Sequence, residues 1–142
     1  MAFLLDTNVI SAARKPDRQE RAFQNFMVDF EVDEAFLSSV SIMEIRFGIQ
    51  REQGRDQGFS RELARWLDEV VLAEFAGRIL PFDLTVAIRA GTLPTSDKRP
   101  SANAMIAATA LEHDLQLVTR NVGHFEVLGV ACLNPWHYAP TS

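Results

Sequence analysis

The stretch Phe3-Leu4-Leu5-Asp6-Thr7-Asn8-Val9-Ile10 decides the fold class, because it combines a short apolar run with a polar exit. An apolar run of this length fits a strand that is buried on both faces of a sheet. Asp6 stands at the end of that strand, where an aspartate commonly caps the next helix. The triplet Asp6, Thr7 and Asn8 in an otherwise apolar context also fits a functional site. The stretch by itself leaves both interpretations open.

The remainder of the chain alternates short apolar runs with stretches of helical spacing. We predict strands at residues 2–5, 35–40, 79–82, 116–118 and 130–133. We predict helices at residues 18–30, 41–52, 59–75, 83–90 and 101–113, with a turn at 54–58 and a loop at 93–100. This alternation predicts an α/β fold with a parallel sheet covered on both faces. The sequence shows no internal repeat or linker, so we expect residues 1–142 to form a single domain.

The composition restricts the class of protein. Of the 142 residues, 47% are apolar and 23% are charged, which is typical of a soluble globular chain. The single cysteine, Cys132, excludes an internal disulfide and a cysteine-based zinc cluster, and it fits a reducing, cytoplasmic setting. No apolar run approaches the ~20 residues of a membrane helix, so we expect no membrane association. The net charge of −5 weighs against avid non-specific binding of nucleic acid, or reflects carboxylates kept for a metal.

Glu44 is the second candidate carboxylate. Ser41-Ile42-Met43-Glu44 fits a capping box, in which Ser41 caps the helix and Glu44 reaches back to the N-cap amide. Functional groups of a parallel sheet collect at the carboxyl ends of its strands, so Glu44 is also placed to face the same crevice as Asp6. The two interpretations do not exclude each other.

Two later segments contribute polar candidates on weaker grounds. Asn103 lies in the first turn of an alanine-rich helix for which Ser101 is the predicted N-cap. Small residues imply close packing, so a polar side chain there is expected to have a specific partner. Thr119, Asn121 and His124 follow the fourth strand, where polar residues are common. We interpret His124 as a loop histidine, because no second histidine stands at metal-ligand spacing.

Two other acids and four basic residues have plainer interpretations. Asp83 is predicted to cap the helix that follows it, and Asp97 lies in the loop 93–100 without a motif. The basic residues close to the candidate segments are Arg14, Lys15, Arg46 and Arg120. Solvated surface charge is the simplest interpretation for each of them, and a basic rim around the crevice is the alternative.

Segments in a fixed order along the chain resemble VapC-type PIN-domain ribonucleases, the toxins of type II toxin–antitoxin systems. Residues 3–11 look like the opening of that family, and residues 38–44 resemble its strand and the helix that carries an invariant glutamate. Residues 103–111 are similar to its Asp-Ala-x-Ile-Ala-Ala-x-Ala-Leu helix, and residues 117–125 to its Leu-Val-Thr-x-Asn/Asp segment. Asn134-Pro135-Trp136 resembles its usual tail. The resemblance covers nearly the whole chain and is to the VapC/FitB-like subgroup.

This resemblance implies a PIN-like three-layer sandwich, in which a five-stranded parallel sheet is flanked by helices. It implies a homodimer and a tight complex with a small VapB-like antitoxin, which would contact operator DNA on behalf of both proteins. It also implies an endoribonuclease that cleaves RNA phosphodiesters with Mg²⁺, or with Mn²⁺ in its place. By position, Asp6 and Glu44 are metal-binding catalytic carboxylates, and Asn103 holds the place of a third acid. Asn121 holds the place of a fourth residue, often Asn or Asp in the family. Thr119 is expected to orient its neighbours, and Thr7 to lie beside the metal.

Asn103 is the departure from the family pattern, which has an aspartate there. Asparagine keeps the shape of aspartate but replaces a charged oxygen with a neutral amide, so metal affinity and catalysis should both fall. Either this is a natural variant with altered catalysis, or the residue was substituted to disarm a toxic enzyme. The intact neighbours of Asn103 favour the substitution. The alternative function is a non-catalytic antitoxin- or partner-binding module that retains the PIN fold.

A phospho-acceptor role for Asp6 is a weaker hypothesis. Phosphatases of the haloacid-dehalogenase type place a second aspartate two residues after the first, and that position is Asn8. Receiver domains need an acidic pair before the acceptor strand and a late lysine, and neither is evident in the sequence.

Overall fold

Five parallel strands form one sheet in a computed structural model of the chain, which describes residues 2–95 and 98–140. The strands are β1 (Phe3–Leu5), β2 (Ala35–Ser38), β3 (Ile79–Leu80), β4 (Gln116–Val118) and β5 (Cys132–Leu133). Their order across the sheet is β3-β2-β1-β4-β5, and every neighbouring pair is parallel. Strands β2 and β3 thus lie on one side of β1, and β4 and β5 lie on its other side. The predicted α/β fold with a five-stranded parallel sheet is confirmed.

Helices cover both faces of the sheet. They are α1 (Thr7–Ala12), α2 (Arg21–Asp29), α3 (Ser39–Gln53), α4 (Gln57–Trp66), α5 (Leu72–Glu74), α6 (Leu84–Thr92), α7 (Ala102–Glu112) and α8 (Val122–Glu126). A π-helical segment, Leu67–Val71, joins α4 to α5, and 3₁₀ turns form at Pro16–Arg18, Val32–Glu34 and Pro135–His137. Within the described residues, none of these helices has the length and apolar character that a bilayer crossing requires.

The central strand shows why the sheet needs two covering layers. Successive side chains of a strand point to opposite faces, and in β1 both Leu4 and Leu5 are buried. Leu5 packs into a cluster that includes Phe23 of α2, whereas Leu4 packs into a cluster that includes Ile106 of α7. Helix α7 lies close to the sheet because its inward side chains are mostly alanines, as the sequence predicted. The result is the three-layer sandwich implied by the family resemblance.

The beginning of α3 corrects two predictions. Strand β2 ends at Ser38 and not at residue 40, and Ser38 is the N-cap of α3, because its Oγ accepts a hydrogen bond from the Val40 N–H at 3.0 Å. Ser41 therefore lies inside the helix, and its interpretation as the serine of a capping box was wrong. The glutamate of a capping box lies three residues after the N-cap. Because the N-cap is Ser38, that position is Ser41, and Glu44 is too far along the helix to reach the N-cap amide.

Other boundaries also differ from the sequence-based prediction. The predicted helix 59–75 starts at Gln57, after the N-cap Asp56, and its register changes at the π-helical segment, which keeps both Leu67 and Val71 buried. The predicted helix 18–30 begins only at Arg21. Residues 96 and 97 of the predicted loop 93–100 lie outside the described residues, and with them the interpretation of Asp97. Asp83 caps α6 as predicted, by accepting a hydrogen bond from the Val86 N–H.

Candidate functional site

The candidate site lies at the carboxyl ends of β1 and β4. These strands are neighbours in the sheet, and between them the direction of strand addition reverses. The connections that leave two such strands run to opposite faces, so a crevice opens between them. Asp6 follows β1 and Thr119 follows β4, which places both residues at this crevice.

Asp6 is held from both sides of the crevice. Its Oδ1 accepts a hydrogen bond from the Thr7 N–H at 2.8 Å, and its Oδ2 accepts one from the Thr119 hydroxyl at 2.7 Å. The residue is only 4% exposed. Asp6 is also the N-cap of α1, so the capping interpretation and the site interpretation both describe it. A buried carboxylate with two donors has one fixed orientation, which is what a ligand or a catalytic group requires.

Thr7 links Asp6 to Glu44. The Thr7 hydroxyl donates a hydrogen bond to Glu44 Oε1 at 2.6 Å, and its oxygen lies 2.9 Å from Ser41 Oγ. Ser41 was missed as a site residue by the sequence analysis, which assigned it to the helix cap. Its position three residues before Glu44 was the available signal, because side chains at this spacing share one face of a helix.

The two carboxylates form a region of excess negative charge. Burial raises the pKa of Asp6, the hydrogen bonds from Thr119 and Thr7 oppose that rise, and the charge of Glu44 adds to it. Among the described residues, neither Asp6 nor Glu44 forms an ion pair with a lysine or arginine. Two neighbouring acids without a cationic partner are the environment in which a divalent cation is most stabilising.

Asn103 is the third candidate site residue. It is half-buried in the first turn of α7, a helix that contacts α3, and it lines a cavity of about 640 Å³ together with Gly123 and His124. In the described part of the chain, no hydrogen bond connects Asn103 to either carboxylate, and no three Asp, Glu, His or Cys side chains are grouped to hold a metal ion. Asn103 thus contributes no negative charge at the position where the resemblance implies a third acid.

The segment after β4 differs from its prediction. The Asn121 N–H donates a hydrogen bond to Thr119 Oγ1 at 3.0 Å, and Asn121 is one of the residues that line a second cavity of about 590 Å³. His124 lies in the short helix α8, so its interpretation as a loop histidine was wrong, although it is exposed. A helix of five residues is too short to show a helical pattern in the sequence.

Two of the basic residues near the site are not simply solvated. Arg14 is 17% exposed, and its guanidinium lies 5.2 Å from the centroid of the Phe59 ring and 3.3 Å from Glu62 Oε1. The surface interpretation of Arg14 was therefore wrong. Arg120 is 56% exposed and stacks 4.6 Å above the Trp136 ring. Such stacking fixes the direction of a guanidinium while leaving its N–H groups available for a further acceptor.

The donor set of the site fits a hard divalent cation. The carboxylates of Asp6 and Glu44 supply oxygen ligands, which Mg²⁺ and Mn²⁺ prefer. Mg²⁺ sites of this kind use one or two carboxylates and complete the coordination with water and substrate oxygens. Asp6 and Glu44 are therefore the residues of this site that could hold such an ion.

A family model described as the PIN domain matches residues 3–129. The chain belongs to the PIN-domain family. Toxin FitB of Neisseria gonorrhoeae is 36% identical to this PIN domain over 140 residues, covering 94% of this chain and 98% of the relative. VapC ribonuclease Y4jK of Sinorhizobium fredii is 34% identical over 144 residues, covering 96% and 99%. The resemblance to VapC- and FitB-type toxins is thereby confirmed.

Solved structures agree with this placement. The crystal structure of FitAcB from Neisseria gonorrhoeae matches this PIN domain with a TM-score of 0.82 at 32% identity, covering 95% of this chain and 99% of that chain. A structure of FitAB bound to an IR36 DNA fragment gives the same TM-score and identity and covers 99% of both chains. The chain therefore has the fold of the toxin chain in these structures along nearly its whole length.

Proposed function

We propose that this toxin is a metal-dependent endoribonuclease whose active site is built on Asp6 and Glu44. The observation that carries the proposal is the hydrogen-bonded chain from Thr119 through Asp6 and Thr7 to Glu44. It holds two carboxylates at the carboxyl end of the sheet, and neither has a cationic partner among the described residues. The name of the relative VapC ribonuclease Y4jK supports RNA as the substrate.

Each residue has a distinct role in this proposal. Asp6 and Glu44 would hold Mg²⁺, or Mn²⁺ in its place, and the side-chain oxygen of Asn103 would be a third, neutral ligand. When bound, the ion polarises the scissile phosphodiester and lowers the pKa of a coordinated water. Thr7 and Thr119 are positioning residues, because they fix the carboxylate oxygens by hydrogen bonds, and Asn121 supports Thr119 through its backbone N–H.

Asn103 should impair both metal binding and cleavage. Two carboxylates attract a divalent cation less strongly than three, and a water that an aspartate would orient has only an amide as its partner. We expect Asn103→Asp to tighten Mg²⁺ binding by about tenfold or more, comparable with the loss from disturbing a metal site in other proteins. It should also raise the rate of RNA cleavage and make expression of the protein toxic to its host.

The test compares three proteins by calorimetric Mg²⁺ titration and by cleavage of a labelled single-stranded RNA. They are the parent chain, Asn103→Asp, and Asn25→Asp on α2, which adds the same charge away from the site. Only Asn103→Asp is expected to gain Mg²⁺ affinity and nuclease activity. If Asn103→Asp binds no divalent ion and cleaves no RNA with Mg²⁺ or Mn²⁺, the nuclease assignment is wrong.

The partners follow from the relatives. The solved complexes FitAB and FitAcB pair the relative with a second protein, and one of them holds DNA. We therefore propose a cognate VapB-like antitoxin as the partner of this toxin, with operator DNA bound through the antitoxin, and a homodimer of the toxin within the complex.

The alternative function is a partner-binding module without catalysis, and Asn103 is the observation that favours it. Such a module would keep the antitoxin-binding surface but need no metal. It would be supported if antitoxin binding persisted while neither the parent chain nor Asn103→Asp bound Mg²⁺.

A further inference from the structure

Two cavities share a border at Gly123 and His124. The first, of about 640 Å³, is lined by Asn103, the proposed third metal ligand. The second, of about 590 Å³, lies beyond α8 and is lined by Arg120, Asn121 and other polar residues. Each is large enough for a nucleotide-sized group. Because Gly123 and His124 line both cavities, the second cavity adjoins the one that is lined by Asn103.

The second cavity has the chemistry of a phosphate-binding surface. Its described lining contains an arginine and two histidines, Arg120, His124 and His137, and no carboxylate. The Arg120 guanidinium is fixed above the Trp136 ring and is more than half exposed, so its N–H groups are available to a bound anion. Its nearest acidic neighbour is Glu20, with the closest atoms 3.9 Å apart, and that pair is open to solvent.

A third cavity, which shares no lining residue with these two, is less suited to a polyanion. It measures about 280 Å³ and runs from Thr7 and Glu44 along α3. Its lining includes a second carboxylate, Glu52, and its one arginine, Arg14, is already paired with Glu62. Phosphates entering this third cavity would meet Glu52 and an arginine that is already paired, whereas in the second cavity they would meet Arg120.

We propose that the RNA strand leaves the scissile position across Gly123 and occupies the second cavity, where its phosphates contact Arg120 and the two histidines. This inference rests on the proposed nuclease function and adds the direction of the substrate and the residues that bind it. Gly123 is the position at which the proposed path can be tested most directly, because this glycine lines both cavities. A Cβ built there meets no atom within 4 Å, so a larger residue would fold normally but would stand in the path of the strand.

The test uses three glutamine substitutions at exposed glycines, each made in the Asn103→Asp protein. Gly123→Gln obstructs the proposed path, and Gly48→Gln lies in the third cavity. Gly54→Gln lies outside all three cavities. The Cβ of Gly48 meets nothing within 4 Å, and that of Gly54 only the Arg51 carbonyl at 3.8 Å, so all three variants should fold. The measurements are Mg²⁺ affinity and the kcat and KM for a single-stranded RNA of about 20 nucleotides.

We expect Gly123→Gln to raise KM by about tenfold while Mg²⁺ affinity stays within about twofold, because only substrate binding is obstructed. Gly48→Gln and Gly54→Gln should match the Asn103→Asp protein. A second variant, Arg120→Gln, should reduce the slope of log affinity against log salt by about 0.7, the value for one lost contact with a single-strand phosphate.

The outcomes separate this inference from the function on which it rests. If the Asn103→Asp protein cleaves RNA and Gly123→Gln cleaves it with the same KM, the proposed path is wrong and the nuclease function stands. A rise in KM confined to Gly48→Gln would place the strand in the third cavity and would also overturn the proposal. If the Asn103→Asp protein itself cleaves no RNA, the proposed function fails, and this inference fails with it.

Discussion

Replacement of Thr119 by valine tests the central hydrogen bond of the site. Thr119 is fully buried, donates to Asp6 Oδ2 at 2.7 Å and accepts from the Asn121 N–H at 3.0 Å. Valine has nearly the same shape, so Thr119→Val removes both hydrogen bonds without opening a cavity. A buried carboxylate oxygen and a backbone N–H would each lose a partner.

The expected loss follows from the two bonds. A hydrogen bond to a charged group contributes about 1.5–3 kcal/mol, and one between neutral groups about 0.5–1.5 kcal/mol. The added methyl group recovers part of this through burial. We therefore expect Thr119→Val to lower the free energy of unfolding by about 2–4 kcal/mol. A typical domain has about 5–15 kcal/mol, so the variant should still fold and can be measured.

The assay is equilibrium urea unfolding at pH 7 in the presence of EDTA, with Thr109→Val as the matched control. Thr109 is also fully buried, but its hydroxyl donates to the Met105 carbonyl at 2.9 Å, which keeps its helical hydrogen bond in the variant. The control should lose about 1 kcal/mol or less. Equal losses for the two variants, or a loss below about 0.5 kcal/mol for Thr119→Val, would show that the bond to Asp6 does not stabilise the fold.

Two further perturbations test the electrostatics of the site and the edge of the sheet. The pKa of Asp6 is raised above its ordinary value of 3.8 in the folded protein, so protonation of Asp6 stabilises the fold. This stabilisation is fully present below pH 3.8 and is lost as the pH rises through the pKa of the folded state. In EDTA, Asp6→Asn should therefore have a higher Tm than the parent at pH 7, and the difference should shrink as the pH is lowered towards 3.8; a constant difference would contradict the burial argument. Arg78→Gln should lower the free energy of unfolding by about 2–4 kcal/mol, because the guanidinium donates to the carbonyls of Val32, Ala35 and Glu74. Urea unfolding measures this loss, and an unchanged midpoint would show that the three bonds are replaced by water.

The position of the site could be predicted from the sequence because it depends on a general rule of parallel sheets. Asp6 and Thr119 both follow short apolar runs, and the carboxyl ends of neighbouring strands meet at one edge. The link between Asp6 and Glu44 through Thr7 could not be predicted in the same way. It depends on the direction in which α3 leaves β2, and that direction is a property of packing.

The start of α3 shows where local patterns are ambiguous. Ser38, Ser39 and Ser41 are all reasonable N-caps, and only Ser41 is followed by a glutamate at capping-box spacing. The pairing of Ser38 with Leu80 ends β2 at that residue, so Ser38 becomes the cap. A strand partner 42 residues further along the chain thus decides a choice that the local sequence leaves open.

The π-helical segment and α8 were missed for a different reason. The segment Leu67–Val71 continues an apolar pattern that is indistinguishable from an ordinary helix until the facing residues are known. Helix α8 has only five residues, including Gly123, a poor helix former. Residue propensities alone therefore predict neither the π-helical segment nor α8. Helix α8 contains Gly123 and His124, which line both cavities.

The strand order also sets when the site can exist during synthesis. The hydrogen bond between Asp6 and Thr119 joins residues 113 positions apart, and the central strand is the first to leave the ribosome. Until β4 emerges, one edge of β1 has no partner and the Asp6 carboxylate lacks its threonine donor. A polypeptide released early therefore exposes a strand edge that favours aggregation over folding. In this topology the hydrogen bond between Asp6 and Thr119 forms only after β4 has been synthesised, late in translation.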